Sequence, residues 1–309
     1  MKILILGGFG FIGSHLAEEL VNNQHRVTIL SKTDSKRKNI EKIKDKIEII
    51  INDLKDIGEK VKEFDVIFHL AGTTDNYAIV DEDLDRDIDA NCRSTLYLLD
   101  ACRKYNPSVK IIFASSFFVV GKPEKLPVKE DAKTNPLALY PATRLCGEHF
   151  CHIYHNVYNL NVIIARFTNV FGPKELPFDK RKAAFNYMIF SAMKNNDLTL
   201  YETGDFVRDY IYVSDVVNGL ITIMNQGISD ETYFIGRGEG IFMKDLFELI
   251  IEVVGQGKIV NIPTPIFHRQ VGIKDFYCDN SKLKKLGWEP KVEIIEGIRR
   301  TVESYKELL

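Results

Sequence analysis

Ser115-Ser116, Tyr140 and Arg144 are the residues whose types and spacing could do chemistry at a hydroxylated carbon. Tyr140 and Arg144 are four apart, so on a helix they share a face, and positive charge beside a phenol favours its phenolate form. Such a phenol can take a proton from a sugar hydroxyl while hydride leaves the same carbon, and Ser116 can orient that hydroxyl. A second group of residues suits phosphate. Gly7-Gly8-Phe9-Gly10-Phe11-Ile12-Gly13 stands between an apolar run and a helical pattern. Gly7, Gly10 and Gly13 permit a sharp turn, close approach of backbone to a pyrophosphate and tight helix–strand contact, with Phe11 and Ile12 opening the helix toward the phosphates.

Other strand ends fit a dinucleotide. An acidic residue often closes the second strand to hold the adenosine ribose; here Ser31 and Lys32 stand there, with Lys36 and Arg37 following and Asp34 nearby. A hydroxyl with neighbouring cations accepts a 2′-phosphate, so the pattern leans to NADP and leaves NAD open. Asp53 and Leu54 follow the third strand, where Asp53 either accepts an adenine amino hydrogen or caps a helix. Leu70, Ala71 and Gly72 end the fourth strand with the small residues that a backbone pressed against a cofactor needs, and His69 reads as a packed core histidine.

The elements that position these residues follow from periodicity. Short β-branched runs at Lys2–Leu6, Arg26–Leu30, Glu48–Ile51, Val66–Leu70, Lys110–Ala114 and Asn161–Ala165 alternate with helical stretches such as Ile12–Asn22 and Asn91–Arg103. That alternation predicts an α/β fold with a parallel, doubly wound sheet of Rossmann type, whose ligands bind beyond the carboxyl ends of the strands. Residues 1–168 form the expected dinucleotide-binding domain, and 169–309 mainly a smaller mixed substrate lobe, with later segments able to return to the first. In that lobe a helix is predicted around Phe185–Lys194, strands near Thr199–Tyr201 and Asp209–Tyr212, and helices near Met243–Val254 and after Pro290. Pro141 biases Tyr140 away from helical dihedrals, which predicts Tyr140 at the helix cap.

Bulk composition removes other classes. Across 309 residues, 41 Lys plus Arg oppose 43 Asp plus Glu for a net charge of -2, so no global field recruits nucleic acid or an anionic membrane. No apolar run approaches the ~20 residues of a membrane span, and the apolar N-terminus reads as a buried strand, so the expected location is cytoplasmic. Cys92, Cys102, Cys146, Cys151 and Cys278 are odd in number and form no C-x-x-C pair, which predicts reduced core thiols and no metal site.

With these residues in view, the chain resembles the extended short-chain dehydrogenase/reductases, specifically the NAD-dependent epimerase/dehydratase family that modifies nucleotide-sugars. The likeness runs through the glycine turn, His69-Leu70-Ala71-Gly72, Asn91 with Thr95-Leu96, Ser115-Ser116 and Tyr140. It continues through Arg166 to Pro173, Arg208 to Asp215 and Leu286-Gly287-Trp288-Glu289-Pro290. The resemblance implies Ser116 as the hydroxyl-orienting residue, Tyr140 as general acid/base and Asn91 on the cofactor side. It places Thr73, Asn169, Arg208 and Arg269 toward the nucleotide-sugar, although the family's P-G-D after that last arginine is here Gln270-Val271-Gly272. A homodimer through a helical pair is a further expectation.

Two departures bear on mechanism. The family's Y-x-x-x-K lysine is Arg144, which can polarise Tyr140 and reach a ribose hydroxyl but stays protonated and relays no proton. The Asp-Glu pair that 4,6-dehydratases carry after the serine is Phe117-Phe118, which disfavours dehydration, and the usual V-Y-G is Val119-Val120-Gly121. The expected activity is NAD(P)-dependent redox chemistry at a sugar carbon, C4 first, of a nucleoside-diphosphate sugar, as 4-epimerase or as 4-dehydrogenase/ketoreductase. The alternative raised by Arg144 is a sensing protein that binds dinucleotide and nucleotide-sugar with little or no turnover.

Overall fold

A computed structural model describes residues 1–73, 85–178 and 183–309. Six parallel strands come from the first half: β1 (Lys2–Leu6), β2 (Arg26–Ser31), β3 (Glu48–Ile51), β4 (Val66–His69), β5 (Lys110–Ser116) and β6 (Asn161–Phe167). A seventh, Thr232–Ile235, joins them, and the order across the sheet is Thr232–Ile235, β6, β5, β4, β1, β2, β3. All neighbours pair in parallel. The chain leaves β1 toward β2 and β3 and later fills the other side from β4 outward, so the order reverses between β1 and β4, where a doubly wound sheet opens its ligand crevice. β1 and β4 are buried apart from Lys2 at the edge of β1, as expected for strands covered by helices on both faces.

The sheet uses sequence from both predicted domains, because the Thr232–Ile235 strand lies beyond residue 168. Its Thr-Tyr-Phe-Ile run is β-branched and aromatic and ends at Gly236, a strand signal that the predicted strands did not include. Observed strands exceed the predicted ones mainly at their carboxyl ends: β2 reaches Ser31, β5 Ser116 and β6 Phe167. β4 stops one residue short, at His69.

Helix α1 (Phe11–Asn22) follows β1 directly, and a long helix, Leu139–Tyr158, covers β5 and β6. Gly147 lets that long helix lie against the sheet, since a Cβ there would sit 2.5 Å from Phe113 Cζ. A buried, bidentate ion pair fixes its orientation: Arg166 Nε donates to Glu148 Oε1 at 2.9 Å and Arg166 Nη2 to Glu148 Oε2 at 2.7 Å.

The smaller lobe packs the Ala184–Met193, Met243–Val254 and Ile294–Tyr305 helices around one apolar cluster that includes Phe171, Phe185, Ile189, Leu246 and Ile298. A loop after Phe171 ties this lobe to α1. Pro173 O lies 3.0 Å from His15 Nε2, and Lys174 Nζ pairs with Glu18 at 2.7 Å. From the other side, Asn186 Nδ2 donates to Gly172 O and to Tyr305 Oη, each at 2.6 Å, while Tyr305 Oη donates to Glu175 O at 2.6 Å.

Among the described residues no helix is long and apolar enough to cross a membrane. All five cysteines are free; Cys102, Cys151 and Cys278 are buried, whereas Cys92 and Cys146 are only half-buried.

Candidate active site

The turn after β1 is built for close approach. Gly7 has φ of +81°, its amide donates to Leu30 O at 3.2 Å, and Gly10 N closes the turn on Gly7 O at 2.9 Å. A Cβ at Gly13 would lie 2.5 Å from Gly7 O, and one at Gly7 2.8 Å from Ala71 N. Gly10 is the N-cap of α1, no side chain bonds the helix start, and its first turn carries no acid. The amides opening α1, beside half-buried Phe11 and Ile12, therefore suit an anion. This cradle, which side chains would fill, fits the pyrophosphate of a dinucleotide.

At the ends of β2 and β3 the polar groups satisfy one another. Ser31 Oγ donates to Thr33 O at 2.7 Å. Lys32 Nζ, largely exposed, pairs with Asp53 Oδ2 at 3.1 Å. Asp53 also caps the short turn Leu54–Asp56 by accepting from Lys55 N at 3.1 Å. The Lys55 amide first, and Lys32 after it, hold that carboxyl below the usual range. Leu54 packs half-buried against the core.

Leu70, Ala71, Gly72 and Thr73 run out of β4 and are clamped from two sides. Asn91, fully buried in a single π-helical turn (Ile88–Arg93), accepts from Thr73 N at 3.1 Å and donates to Thr73 Oγ1 and Thr143 Oγ1, both at 2.9 Å. Arg144, 4% exposed, donates through Nη1 to Ala114 O at 3.1 Å and Ala71 O at 3.4 Å, and through Nη2 to Thr73 O at 3.4 Å. A Cβ at Gly72 would overlap both clamps. His69 is the packed core histidine expected: Nε2 lies 3.1 Å from Thr95 Oγ1, and burial, then the Arg144 charge, push its pKa down to about 3.

Ser116 ends β5 and caps the short turn Phe117–Val120, its Oγ accepting from Phe118 N at 3.3 Å. Tyr140 faces the predicted cation: the Arg144 guanidinium carbon is 5.8 Å from its ring centre. The cap, however, is Ala138, and Tyr140 is the second residue inside the Leu139–Tyr158 helix. Pro141 is the third helical residue, where its missing amide costs no intrahelical bond, so the helix begins ahead of it. Two buried polar atoms here, Ser115 Oγ and Arg144 Nε, have no hydrogen-bond partner among the described residues.

On the smaller lobe's side, Asn169 bonds one carbonyl twice: its amide and its Nδ2 donate to Asp209 O at 3.1 and 2.8 Å. Arg208, half-buried, donates to Val207 O at 3.0 Å and to Lys274 O, and lies over the Phe206 ring. Arg269 is exposed on the short helix Ile266–Val271, where Nε donates to Thr264 O at 2.8 Å and Nη2 is 3.9 Å from Glu202.

The family's sequence profile, described as the NAD dependent epimerase/dehydratase family, matches residues 3–236. The chain belongs to that family. It is 32% identical over 309 residues to a putative UDP-glucose 4-epimerase of Methanocaldococcus jannaschii, covering 98% of each chain. A UDP-glucose 4-epimerase of Thermotoga maritima, solved with UDP-glucose, superposes with a TM-score of 0.90 at 29% identity over 100% of this chain and 99% of that one. A UDP-glucuronic acid 4-epimerase of Bacillus cereus, solved with UDP-glucuronic acid and NAD, gives 0.89 at 27% identity over the full length of both. The fold is thus that of the family's solved epimerases.

Sequence reasoning missed the residue that holds this region of the family fold together. Asp209 is fully buried and accepts from Arg237 N at 2.8 Å, Gly238 N at 3.0 Å, Cys278 N and Thr168 Oγ1 at 3.2 Å and Cys278 Sγ at 3.3 Å. Burial raises its carboxyl, which the surrounding amides oppose. The signal was an acid between two residues, Arg208 and Tyr210, of an otherwise strand-like segment, where a buried carboxylate requires several donors.

Proposed function

We propose that this protein carries out NAD(P)-dependent redox chemistry at C4 of a nucleoside-diphosphate sugar, as a 4-epimerase first and as a 4-dehydrogenase or ketoreductase otherwise. The observation that carries the reading is that Tyr140 lies against the buried Arg144, whose guanidinium holds the end of β5 two residues before Ser116 and the exit of β4 beside the Gly7–Gly13 turn. When bound, the nicotinamide supplies the hydride acceptor and donor. Gly7, Gly10 and Gly13 admit the pyrophosphate, with Leu70, Ala71 and Gly72 behind it. Ser116 Oγ holds the sugar oxygen, and Tyr140 takes its proton as the hydroxyl becomes a ketone and returns it afterwards. Arg144 keeps a fixed positive charge against Tyr140 while pinning the ends of β4 and β5. Asn169 and Arg208 hold the diphosphate, which Arg208 can fork; Arg269 is a weaker candidate because its bonds are local and exposed.

The NADP lean from Ser31 and Lys32 is weakened by the Lys32–Asp53 ion pair, and relatives solved with NAD put NAD first. A 4,6-dehydration is disfavoured because Phe117 and Phe118 offer neither acid nor base. Binding without turnover gains nothing here: Arg144 is seated by three carbonyls rather than displaced. A cytoplasmic homodimer completes the reading, its contact formed by Tyr97, Ile153, Val157 and Tyr158, exposed on the Ser94–Tyr105 and Leu139–Tyr158 helices.

The test is to denature the purified protein, identify released dinucleotide by mass, and follow UDP-glucose and UDP-galactose interconversion by chromatography. Bound dinucleotide with interconversion supports the epimerase. Net change at 340 nm without interconversion selects the dehydrogenase. Bound dinucleotide with no nucleotide-sugar converted rejects both.

A further inference from the structure

Two thiols that take no part in the chemistry above stand side by side behind the residues that hold the β4 exit. Cys92 lies in the π-helical turn Ile88–Arg93, next to Asn91, and Cys146 lies on the Leu139–Tyr158 helix, two residues after Arg144. Cys92 Sγ donates to Thr143 O at 3.6 Å, and Thr143 and Cys146, three apart, share a helix face. The two thiols interact directly, and both are free and half-buried. Their chain neighbours belong to the site: Asn91 and Arg144 both grip Thr73, and a Cβ at Gly72 would overlap both of them. One step further, a Cβ at Gly7 would lie 2.8 Å from Ala71 N. The backbone of 71–73 is therefore packed without room between the two elements that carry the thiols and the turn assigned to the pyrophosphate.

We propose that Cys92 and Cys146 form a reversible disulfide that weakens dinucleotide binding, the oxidant being a low-molecular-weight disulfide such as oxidised glutathione. The effect on binding rests on the dinucleotide reading above; the bond does not. Burial first, and then the Cys146 thiol, push Cys92 up to about 12, so Cys92 is kept as a thiol and Cys146 makes the first attack. The Cys146 sulfur bonds one sulfur of the oxidant, whose S–S bond breaks and releases one small thiol. Cys92 then attacks the Cys146 sulfur and releases the second. The two protein thiols lose two electrons and two protons, and the two small thiols carry both away. Bonded sulfurs stand about 2 Å apart, closer than any unbonded pair. Closing the bond therefore draws the π-helical turn and the helix together across Asn91 and Arg144, and the squeeze falls on Gly72 and Ala71.

The experiment exposes the purified protein to oxidised glutathione, maps its disulfides by mass spectrometry of an unreduced digest, and measures NAD affinity by calorimetry before oxidation, after it, and after dithiothreitol. The expected result is a Cys92–Cys146 link, with NAD bound about tenfold more weakly and its affinity restored by dithiothreitol. Coupling is reciprocal, so saturating NAD should lower the linked fraction at a fixed ratio of oxidised to reduced glutathione. Cys146→Ser should keep the wild-type NAD affinity and lose its response to oxidation; if it does not fold, Cys92→Ala serves the same purpose. No link, or glutathione retained on Cys146 alone, overturns the bond. A link with NAD affinity unchanged, or a weakening that persists in the variant, overturns the effect on binding. Reduced protein that binds neither NAD nor NADP overturns the dinucleotide reading, while a mapped link still stands.

Discussion

Arg144 Nη1 lies 3.1 Å from Ala114 O, so a cation borne on the Leu139–Tyr158 helix holds the end of β5, and through Ala71 O also the exit of β4. A lysine has one nitrogen for these carbonyls and cannot span them in a plane. Arg144→Lys is expected to lower stability by about 1–3 kcal/mol, the cost of buried groups left unsatisfied, and to lower kcat/KM, read by urea unfolding and turnover. A large gain in turnover instead would mean that the native site is impaired.

Tyr140→Phe keeps the ring and removes the proton carrier. kcat should fall about 10²- to 10⁴-fold, with the dinucleotide still released from denatured protein in the wild-type amount. A fall of less than tenfold would assign the proton transfer elsewhere.

Gly13→Ala sets two effects against each other. Alanine favours a helix by about 1 kcal/mol, yet its Cβ would meet the Gly7 carbonyl at 2.5 Å, so the turn must move. Dinucleotide affinity should drop at least about tenfold, or ~1.4 kcal/mol, by calorimetry on protein whose circular dichroism is unchanged.

His69 gives the acid limb a definite sign. Its pKa is depressed from 6.5 to about 3 in the folded state, so the unfolded chain takes the proton first. Its contribution is whole above pH 6.5 and is lost between there and about 3, at up to ~1.4 kcal/mol per pH unit. His69→Gln should flatten urea-derived stability between pH 6.5 and 5, above the range where most carboxylates titrate. An unchanged slope would mean the imidazole is solvated.

Ile153 and Val157 are 51% and 64% exposed, one turn apart. Glutamate at both should leave a folded monomer by sedimentation if this face joins two copies. An unshifted sedimentation coefficient would place any dimer contact elsewhere.

The sequence was most legible where one backbone requirement dominates. The Gly7–Gly13 turn and all six first strands are found within two residues of their expected ends, and His69 behaves as read, because buried parallel strands carry unbroken apolar runs. Tyr140 was displaced from its expected cap because a local proline preference cannot see that the helix has already begun at Leu139. Asn91 was expected on the cofactor side, and its engagement with Thr73 and Thr143 could not be read. Those partners are 18 and 52 residues away, and no spacing rule links them. The partners of Asp209 and of the Glu148–Arg166 pair could not be read for the same reason, since they are set by burial, and burial is set by the whole sheet.

The Tyr305 hydroxyl has a consequence for how the protein is made. It secures Glu175 and Asn186, and so the Pro173–Lys174 loop that rests on His15 and Glu18 of α1. A ribosome delivers α1 and β1 first and Tyr305 some 290 residues later. The strands of the cofactor half can associate as they emerge, but this anchor of the loop to the smaller lobe waits until residue 305 has been translated, and until then the loop that rests on α1 lacks its tyrosine hydroxyl partner.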